Sequence, residues 1–364
     1  MIAQLAGLGA DKTSTGKKRK VSDAEVKRVQ ESALLIDTHN DFPTEQAGHD
    51  RAVGKIDIGP SSTAAHTDLV RLRQGGVGAV FFAAYVAANY GLGTRAYTRA
   101  QQVIDTIRFD IVERNPKDFV LATTAAEIES AHKQGKIAAL IGIEGGHAIQ
   151  DSIDKLREFY GRGVRYMTLT HTNTNNWADS SGDMNDAAIA HHNGLTDFGK
   201  DVVREMNKLG MMVDISHVSD KTFSDALAVS SAPLIASHSS CRALANAPRN
   251  MTDQMIMELA KKGGVVQVNF YCNFLNNYKP PRATIDDVVA HIDHIRQIAG
   301  IDAIGIGSDF DGIDCVPVGL EDVSKFPNLT RKLLEKGYSA EDIRKIYGRN
   351  FLRVMRAVEK AAEK

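Results

Sequence analysis

The feature that most restricts what this chain can fold into is a repeated pairing of a short run, apolar on both faces, with an amphipathic segment. The apolar runs cover residues 33–37, 77–85, 137–143, 164–170, 211–216, 233–237, 264–269 and 303–308, and most are rich in Val and Ile. A half-solvated antiparallel strand would alternate apolar and polar residues, whereas a strand buried on both faces reads as a continuous apolar run. Between the runs lie helical patterns. Residues 195–209 carry apolar side chains at helical spacing and stop at Gly210, and 284–299 stop in the same way at Gly300. Ser219 opens a capped helix directly after a strand.

Strand–helix alternation repeated about eight times predicts an α/β protein, a (β/α)8 TIM barrel. An open doubly wound sheet is the competing architecture, and it calls for a Gly-rich phosphate turn after its first strand. Here the first run leads into His39-Asn40-Asp41-Phe42-Pro43 instead, which favours the barrel. No Pro/Ser-rich linker or low-complexity stretch marks a boundary. The expectation is a flexible leader and first helix over residues 1–30, then one catalytic barrel with C-terminal helices over 31–364.

Composition excludes several functions. Apolar residues make up 43% of the 364 and charged residues 24%, the balance of an ordinary globular protein. A net charge of -1 gives no basic surface for nucleic acid or an acidic membrane. No stretch approaches the ~20 apolar residues of a membrane span. Residues 1–10 are mildly apolar but lack a basic residue ahead of them, which makes a poor signal peptide. Lys17, Lys18, Arg19 and Lys20 read as a solvated leader. A soluble protein is expected, cytoplasmic as the sequence stands, or periplasmic or secreted if an upstream signal was removed. Cys241, Cys272 and Cys315 are an odd count without metal-ligand spacing, so free thiols are expected.

In such barrels the active site forms at the C-terminal ends of the strands. Polar residues of metal-ligand type fall there with regularity. The first run leads into His39 and Asp41, the third into Glu144, the fourth into His171, the fifth into His217, the sixth into His238 and the eighth into Asp309. The seventh runs out at Asn269, Phe270 and Tyr271, and Tyr271 is placed on the substrate. His39 and Asp41 are two apart, so on an extended strand both point the same way. Glu144 ends a wholly apolar run, where a carboxylate needs a cation. Five ligands (His39, Asp41, Glu144, His217 and His238) are too many for one catalytic zinc with an open position. They suit two ions sharing a carboxylate, for which Glu144 is the natural bridge, and such a pair can lower the pKa of a water between them towards neutrality.

Around this set, Asp309 is placed to accept and return a proton, with Asp311 as a fallback that also suits a cap on the turn before Gly312. His171 suits either a loop hydrogen bond or polarisation of a substrate carbonyl. Arg249 can hold a carboxylate by its bidentate fork, although composition alone favours an exposed arginine. His191 and His192 read as a solvated or capping segment. Trp177 suits the core as well as a pocket wall.

Together these segments resemble the renal (membrane) dipeptidase family of the amidohydrolase superfamily. The matching stretches are Ile36-Asp37-Thr38-His39-Asn40-Asp41, Gly142-Ile143-Glu144-Gly145-Gly146, Thr168-Leu169-Thr170-His171-Thr172, Val213-Asp214-Ile215-Ser216-His217 and Ser237-His238-Ser239-Ser240. Pro248-Arg249-Asn250, Val268-Asn269-Phe270, Gly307-Ser308-Asp309-Phe310-Asp311-Gly312 and Gly319-Leu320-Glu321-Asp322-Val323-Ser324 follow in order. The resemblance implies a zinc dipeptidase with two Zn2+ per chain bridged by Glu144. It puts His39 and Asp41 on one ion, and His217 and His238 on the other. It implies that His171 contacts the scissile carbonyl, Arg249 the substrate carboxylate, and that Asp309 shuttles the proton. Small unblocked dipeptides, often with a D-residue second, are the implied partners, with no nucleic acid, no membrane and a possible homodimer. An amidohydrolase acting on another small amide or lactam, or a non-catalytic member, are the alternatives. The chain ends without the hydrophobic tail that precedes a lipid anchor and gives no reason to expect the disulfides of secreted relatives, so it looks like a soluble bacterial form.

Overall fold

A computed structural model describes residues 19–47, 56–59 and 64–362. Its strands are β1 (Leu35–Asn40), β2 (Val77–Tyr85), β3 (Phe119–Leu121), β4 (Ile137–Glu144), β5 (Val164–Thr168), β6 (Met212–Asp214), β7 (Ile235–Ser239), β8 (Val265–Val268) and β9 (Ile304–Ile306). All neighbours are parallel, in the order β1-β2-β4-β5-β6-β7-β8-β9. These eight are the eight apolar runs, and with the helices between them they form the expected (β/α)8 barrel. β3 is a ninth strand that the apolar pattern did not reveal. Three residues are too few for a periodic signal, and it pairs only with the outer start of β4.

No ladder joins β9 to β1. The seam is closed instead just beyond their ends, where Asp41 N–H donates to Phe310 O at 2.9 Å and Asp309 N–H donates to His39 O at 3.0 Å. Asp37 reinforces the seam from inside, accepting from the Ser308 backbone at 2.8 Å and its hydroxyl at 2.6 Å.

Both strand faces are buried, which explains the unbroken apolar runs. Ile36, Phe81, Leu140, Tyr166, Met212, Ile235 and Val265 pack together with Phe351 of the last helix, Asn350–Ala362. The opposite faces, with Val80, Phe82, Ile141, Ile143 and Val213, pack against the surrounding helices. Each such side chain contributes about 1.5–3 kcal/mol by leaving water. The helices form where their signals stand. Asp197–Leu209 ends at Gly210, and Ser219 caps Asp220–Val229 by accepting from Thr222 N–H at 3.1 Å. Thr284 opens Ile285–Ala299 with a capping box shared with Asp287.

Two expectations are corrected. Cys272 and Cys315 form a disulfide with Cα atoms 5.6 Å apart, and only Cys241 is a buried free thiol. An odd cysteine count does not prevent two of three from pairing, and the barrel brings the loops after β8 and β9 together across a sequence separation of 43. Arg19, read as part of a solvated run, donates to Leu334 O at 3.0 Å and pairs with Glu25. Residues 1–18, including Lys17 and Lys18, lie outside the described residues, as does most of the loop from Gly48 to Ser62. Among the described residues, no helix is long and apolar enough to cross a membrane.

Candidate metal centre

The C-terminal strand ends converge on one buried cluster. β1 carries His39 and leads into Asp41, β4 ends at Glu144, β7 carries His238, and His217 lies three residues past β6. His39 Nε2 lies 3.2 Å from Asp41 Oδ2 and 3.4 Å from Glu144 Oε2. The other oxygen, Glu144 Oε1, lies 2.9 Å from His217 Nε2 and 3.2 Å from His238 Nε2. Glu144 therefore presents one oxygen to each half of the cluster. All five residues named as ligands from the sequence are brought together here. His171 Nε2 is 3.9 Å from Glu144 Oε1 and His39 Nε2 is 3.9 Å from Asp309 Oδ1, so these two flank the set.

The backbone bends sharply to aim these groups. Glu144 is followed by Gly145 at φ 109°, a conformation open to glycine. His217, Asp309 and Asp311 adopt φ of 68°, 65° and 68° without being glycine. Such residues cost about 1–3 kcal/mol each and persist where the surroundings over-determine them.

A second layer fixes the imidazoles. Tyr166 O–H donates to Thr38 O at 3.2 Å, so its oxygen is left to accept from His39 Nδ1 at 2.8 Å. Ser237 O–H donates to Asp214 Oδ2 at 2.6 Å and accepts from His238 Nδ1 at 2.7 Å. Both arrangements put a proton on Nδ1 and turn Nε2 into the cluster. Tyr166 fits because Gly142 faces it; a Cβ there would lie 2.0 Å from Tyr166 Cζ.

The charges of the cluster are balanced within it, with His39 the cation that faces the Glu144 carboxylate. Burial opposes charge on His39, but Tyr166, Glu144 and Asp41 outweigh it and lift its pKa well above the ordinary value. Burial likewise opposes charge on Glu144, yet His39, His171 and the hydrogen bonds of His217 and His238 hold it well below the usual carboxylate range. Burial raises Asp41 to about 8 and also raises Asp309, both against the pull of His39. Burial, then the Arg249 charge, drives His217 well below the ordinary histidine value; for His238 burial leads and His39 and Arg249 follow. Neutral imidazoles facing carboxylates are a metal-binding donor set. Two buried atoms in this set, His39 Nε2 and Asp41 Oδ1, have no hydrogen-bond partner among the described residues, and a cation between them would satisfy both. The residues present thus fit a metal.

The cluster forms the floor of a cavity of about 560 Å3, within the range of small-molecule sites. Its walls include Tyr85, His171, Tyr271, Phe274, Asp309 and Asp314. His171 packs edge-on against Tyr85 with centroids 4.6 Å apart, and burial lowers its pKa to about 4, so it is neutral. Asp309 Oδ2 accepts from Asn269 Nδ2 at 2.8 Å. Arg249 is half-buried rather than solvated. Its Nη1 donates to Ser239 Oγ at 2.9 Å and its Nη2 to His238 O at 2.8 Å, while Nε has no partner among the described residues. Asp311 accepts from His66 N–H at 2.6 Å and returns its own N–H to His66 Nδ1 at 3.0 Å, which makes it a loop anchor. Trp177 is wholly buried in the core, not a pocket wall. His192 ties down its loop through Asn175 O at 2.8 Å, and His191 lies 3.6 Å from Asp183.

Sequence reasoning passed over Tyr85, Phe274, Tyr166, Asp37 and Asp214. Two of these left a trace, since Asp37-Thr38-His39 and Asp214-Ile215-Ser216-His217 each put a buried acid two or three residues ahead of a histidine at a strand end.

The sequence matches the family described as membrane dipeptidase (peptidase family M19) over residues 23–364. An uncharacterised dipeptidase of Schizosaccharomyces pombe is 40% identical over 358 residues, covering 94% of this chain and 85% of that protein. A metallopeptidase from Rhodobacter sphaeroides, solved with a phosphinate mimic of the dipeptide L-Ala-D-Ala, superposes with a TM-score of 0.76 at 26% identity, covering 90% of this chain and 99% of that one. An amidohydrolase from Pseudomonas aeruginosa has a TM-score of 0.76 at 27% identity, covering 92% and 98%. The chain belongs to the membrane dipeptidase family of metallopeptidases.

Proposed function

We propose that this member of the membrane dipeptidase family hydrolyses the peptide bond of small unblocked dipeptides, L-Xaa-L-Xaa or L-Xaa-D-Xaa, using two zinc ions. The observation that carries the reading is the division of Glu144, with Oε2 towards His39 and Oε1 towards His217 and His238. One carboxylate that serves an imidazole on one oxygen and two on the other suits a bridge between two ions. In this reading His39 and Asp41 hold one ion and His217 and His238 the other. Bound there, the pair supplies a water acidic enough to attack at neutral pH and an electrostatic clamp on developing oxygen charge.

The chain's own residues supply the rest. Asp309, whose pKa is raised by burial, takes a proton and returns it to the leaving amine. It is kept in place by Asn269 Nδ2 and by its own N–H on His39 O. His171 is neutral and steadied by Tyr85, so it can donate a hydrogen bond to the scissile carbonyl oxygen without a charge that must be screened. Arg249 holds the substrate carboxylate. Burial lowers its pKa to about 10, which leaves it charged at neutral pH. Tyr271 contacts the substrate from the far wall. The cavity, at about 560 Å3, has room for a dipeptide.

The test is a panel of L-L and L-D dipeptides with metal analysis of the same sample. Release of free amino acids with about two zinc ions per chain is expected, together with loss of turnover when the C-terminus is amidated. A fully loaded enzyme that turns over no free dipeptide would refute the proposal.

A further inference from the structure

The disulfide joins two loops that both face the cavity. Cys272 directly follows Tyr271 and begins the short helix Cys272–Asn276, which carries Phe274. Cys315 directly follows Asp314. Tyr271, Phe274 and Asp314 all line the cavity. The same two loops are linked by Cys272 N–H donating to Cys315 O at 3.2 Å and by Tyr278 O–H, which reaches both Tyr271 and Asp314. Phe274 stands edge-on to Tyr271 with centroids 4.9 Å apart, and the Arg249 guanidinium lies 5.5 Å above the Phe274 ring. The bridge therefore sits behind one wall of the site, one residue from a substrate-facing side chain on each strand of the link. The metal-cluster residues stand apart from it. They sit on or just past β1, β4, β6 and β7, where Tyr166 fixes His39 and Asp214, through Ser237, fixes His238.

We propose that Cys272 and Cys315 are positioning residues for substrate: their disulfide holds the wall of Tyr271, Phe274 and Asp314 in its binding arrangement. Reduction then weakens substrate binding while leaving the metal cluster and the chemical step intact. The inference rests on the dipeptidase reading of the cavity. Cys272 is buried and Cys315 is half-buried, so the bridge is reached from the Cys315 side. A dithiol reductant passes two electrons and two protons to the bridge, leaving two cysteine thiols and the reductant as its own disulfide. Cys241 takes no part, because it is buried and burial raises its thiol far above neutrality.

The experiment compares the metal-loaded enzyme before and after reduction by a water-soluble phosphine, chosen because thiols would compete for zinc. The phosphine takes oxygen from water as its oxide, and the two sulfurs leave as thiols. Calorimetry gives Kd for a phosphinate dipeptide analogue, and steady-state assays give KM and kcat for a dipeptide. Freed side chains must be re-ordered on binding, so Kd and KM should rise about three- to tenfold. Metal content and kcat should hold, and reoxidation should restore the starting values. Cys272→Ser should reproduce the reduced enzyme without reductant. Unchanged Kd and KM after reduction overturn the proposal. A fall in metal content and kcat together also overturns it, since the bridge would then be a general staple. If the oxidised enzyme fails to bind the analogue at all, the dipeptidase reading fails first.

Discussion

Replacing Asp214 by Asn tests the relay behind His238 without changing its shape. In the native arrangement Asp214 Oδ1 accepts from the backbones of Ser216 at 3.1 Å and Ser237 at 2.8 Å, and Oδ2 accepts the hydroxyls of Thr168 and Ser237. An asparagine keeps the carbonyl for the two N–H groups but presents an NH2 to the two hydroxyls. Ser237 must then send its proton elsewhere. The nearest acceptor is His238 Nδ1 at 2.7 Å, with Ser216 Oγ a poorer choice at 3.3 Å. A proton delivered to Nδ1 displaces the imidazole proton to Nε2, the atom that faces Glu144 and would bind the ion. Disturbing a partner of this kind costs about 10–100-fold in metal affinity, or about 1.4–2.8 kcal/mol. Zinc competition against a chromophoric chelator measures it, and imidazole nitrogen chemical shifts report the tautomer. Zinc affinity within twofold of the native protein would refute the relay. So would a large loss of affinity with the His238 proton still on Nδ1.

Three further outcomes are expected. Asp309→Asn should keep its metal yet lose most of kcat, and wild-type rates in that variant would remove Asp309 from the proton path. Gly142→Ala would place a Cβ 2.0 Å from the buried Tyr166 ring, so chemical denaturation should show a loss of about 1–3 kcal/mol or more. His291 is buried, accepts from Cys241 N–H at 2.9 Å, and has its pKa pushed down to about 4 by burial. Between pH 6.5 and 4 the unfolded chain binds the extra proton, so this histidine's contribution is complete above pH 6.5 and is lost as pH falls towards 4. Unfolding at pH 7 and pH 5 should differ by about 2 kcal/mol from this group, and the difference should vanish in His291→Asn.

The barrel was legible because burial on both faces leaves an unbroken apolar run, and eight such runs admit few architectures. The cluster of candidate ligands was legible for a related reason. An ionisable residue at the end of an apolar strand, as at Glu144 or His238, contradicts its local context unless a site explains it. What stayed hidden depends on contacts between distant parts of the chain. Tyr166 reads as one more strand aromatic until it meets His39, 127 residues away. Asp214 reads as a strand-end acid until the two neighbouring strands bring Thr168 and Ser237 to it. The Cys272–Cys315 pairing depends on how two loops lie over the barrel mouth, and neither count nor spacing records that. Arg249 looked like a surface residue because its partners are a hydroxyl and a backbone carbonyl, which leave no mark in composition.

The seam between the first and last strands gives the molecule a direction in time. His39 and Asp41 leave the ribosome early, but Asp41 N–H reaches Phe310 O, and Asp309 N–H reaches His39 O, only after nearly the whole barrel has been made. A nascent chain that lacks β9 has every residue of the candidate ligand set and none of the closure that holds them in register. The candidate ligands thus reach this register only once β9 has joined the barrel. A metal ion held there would mark a closed barrel.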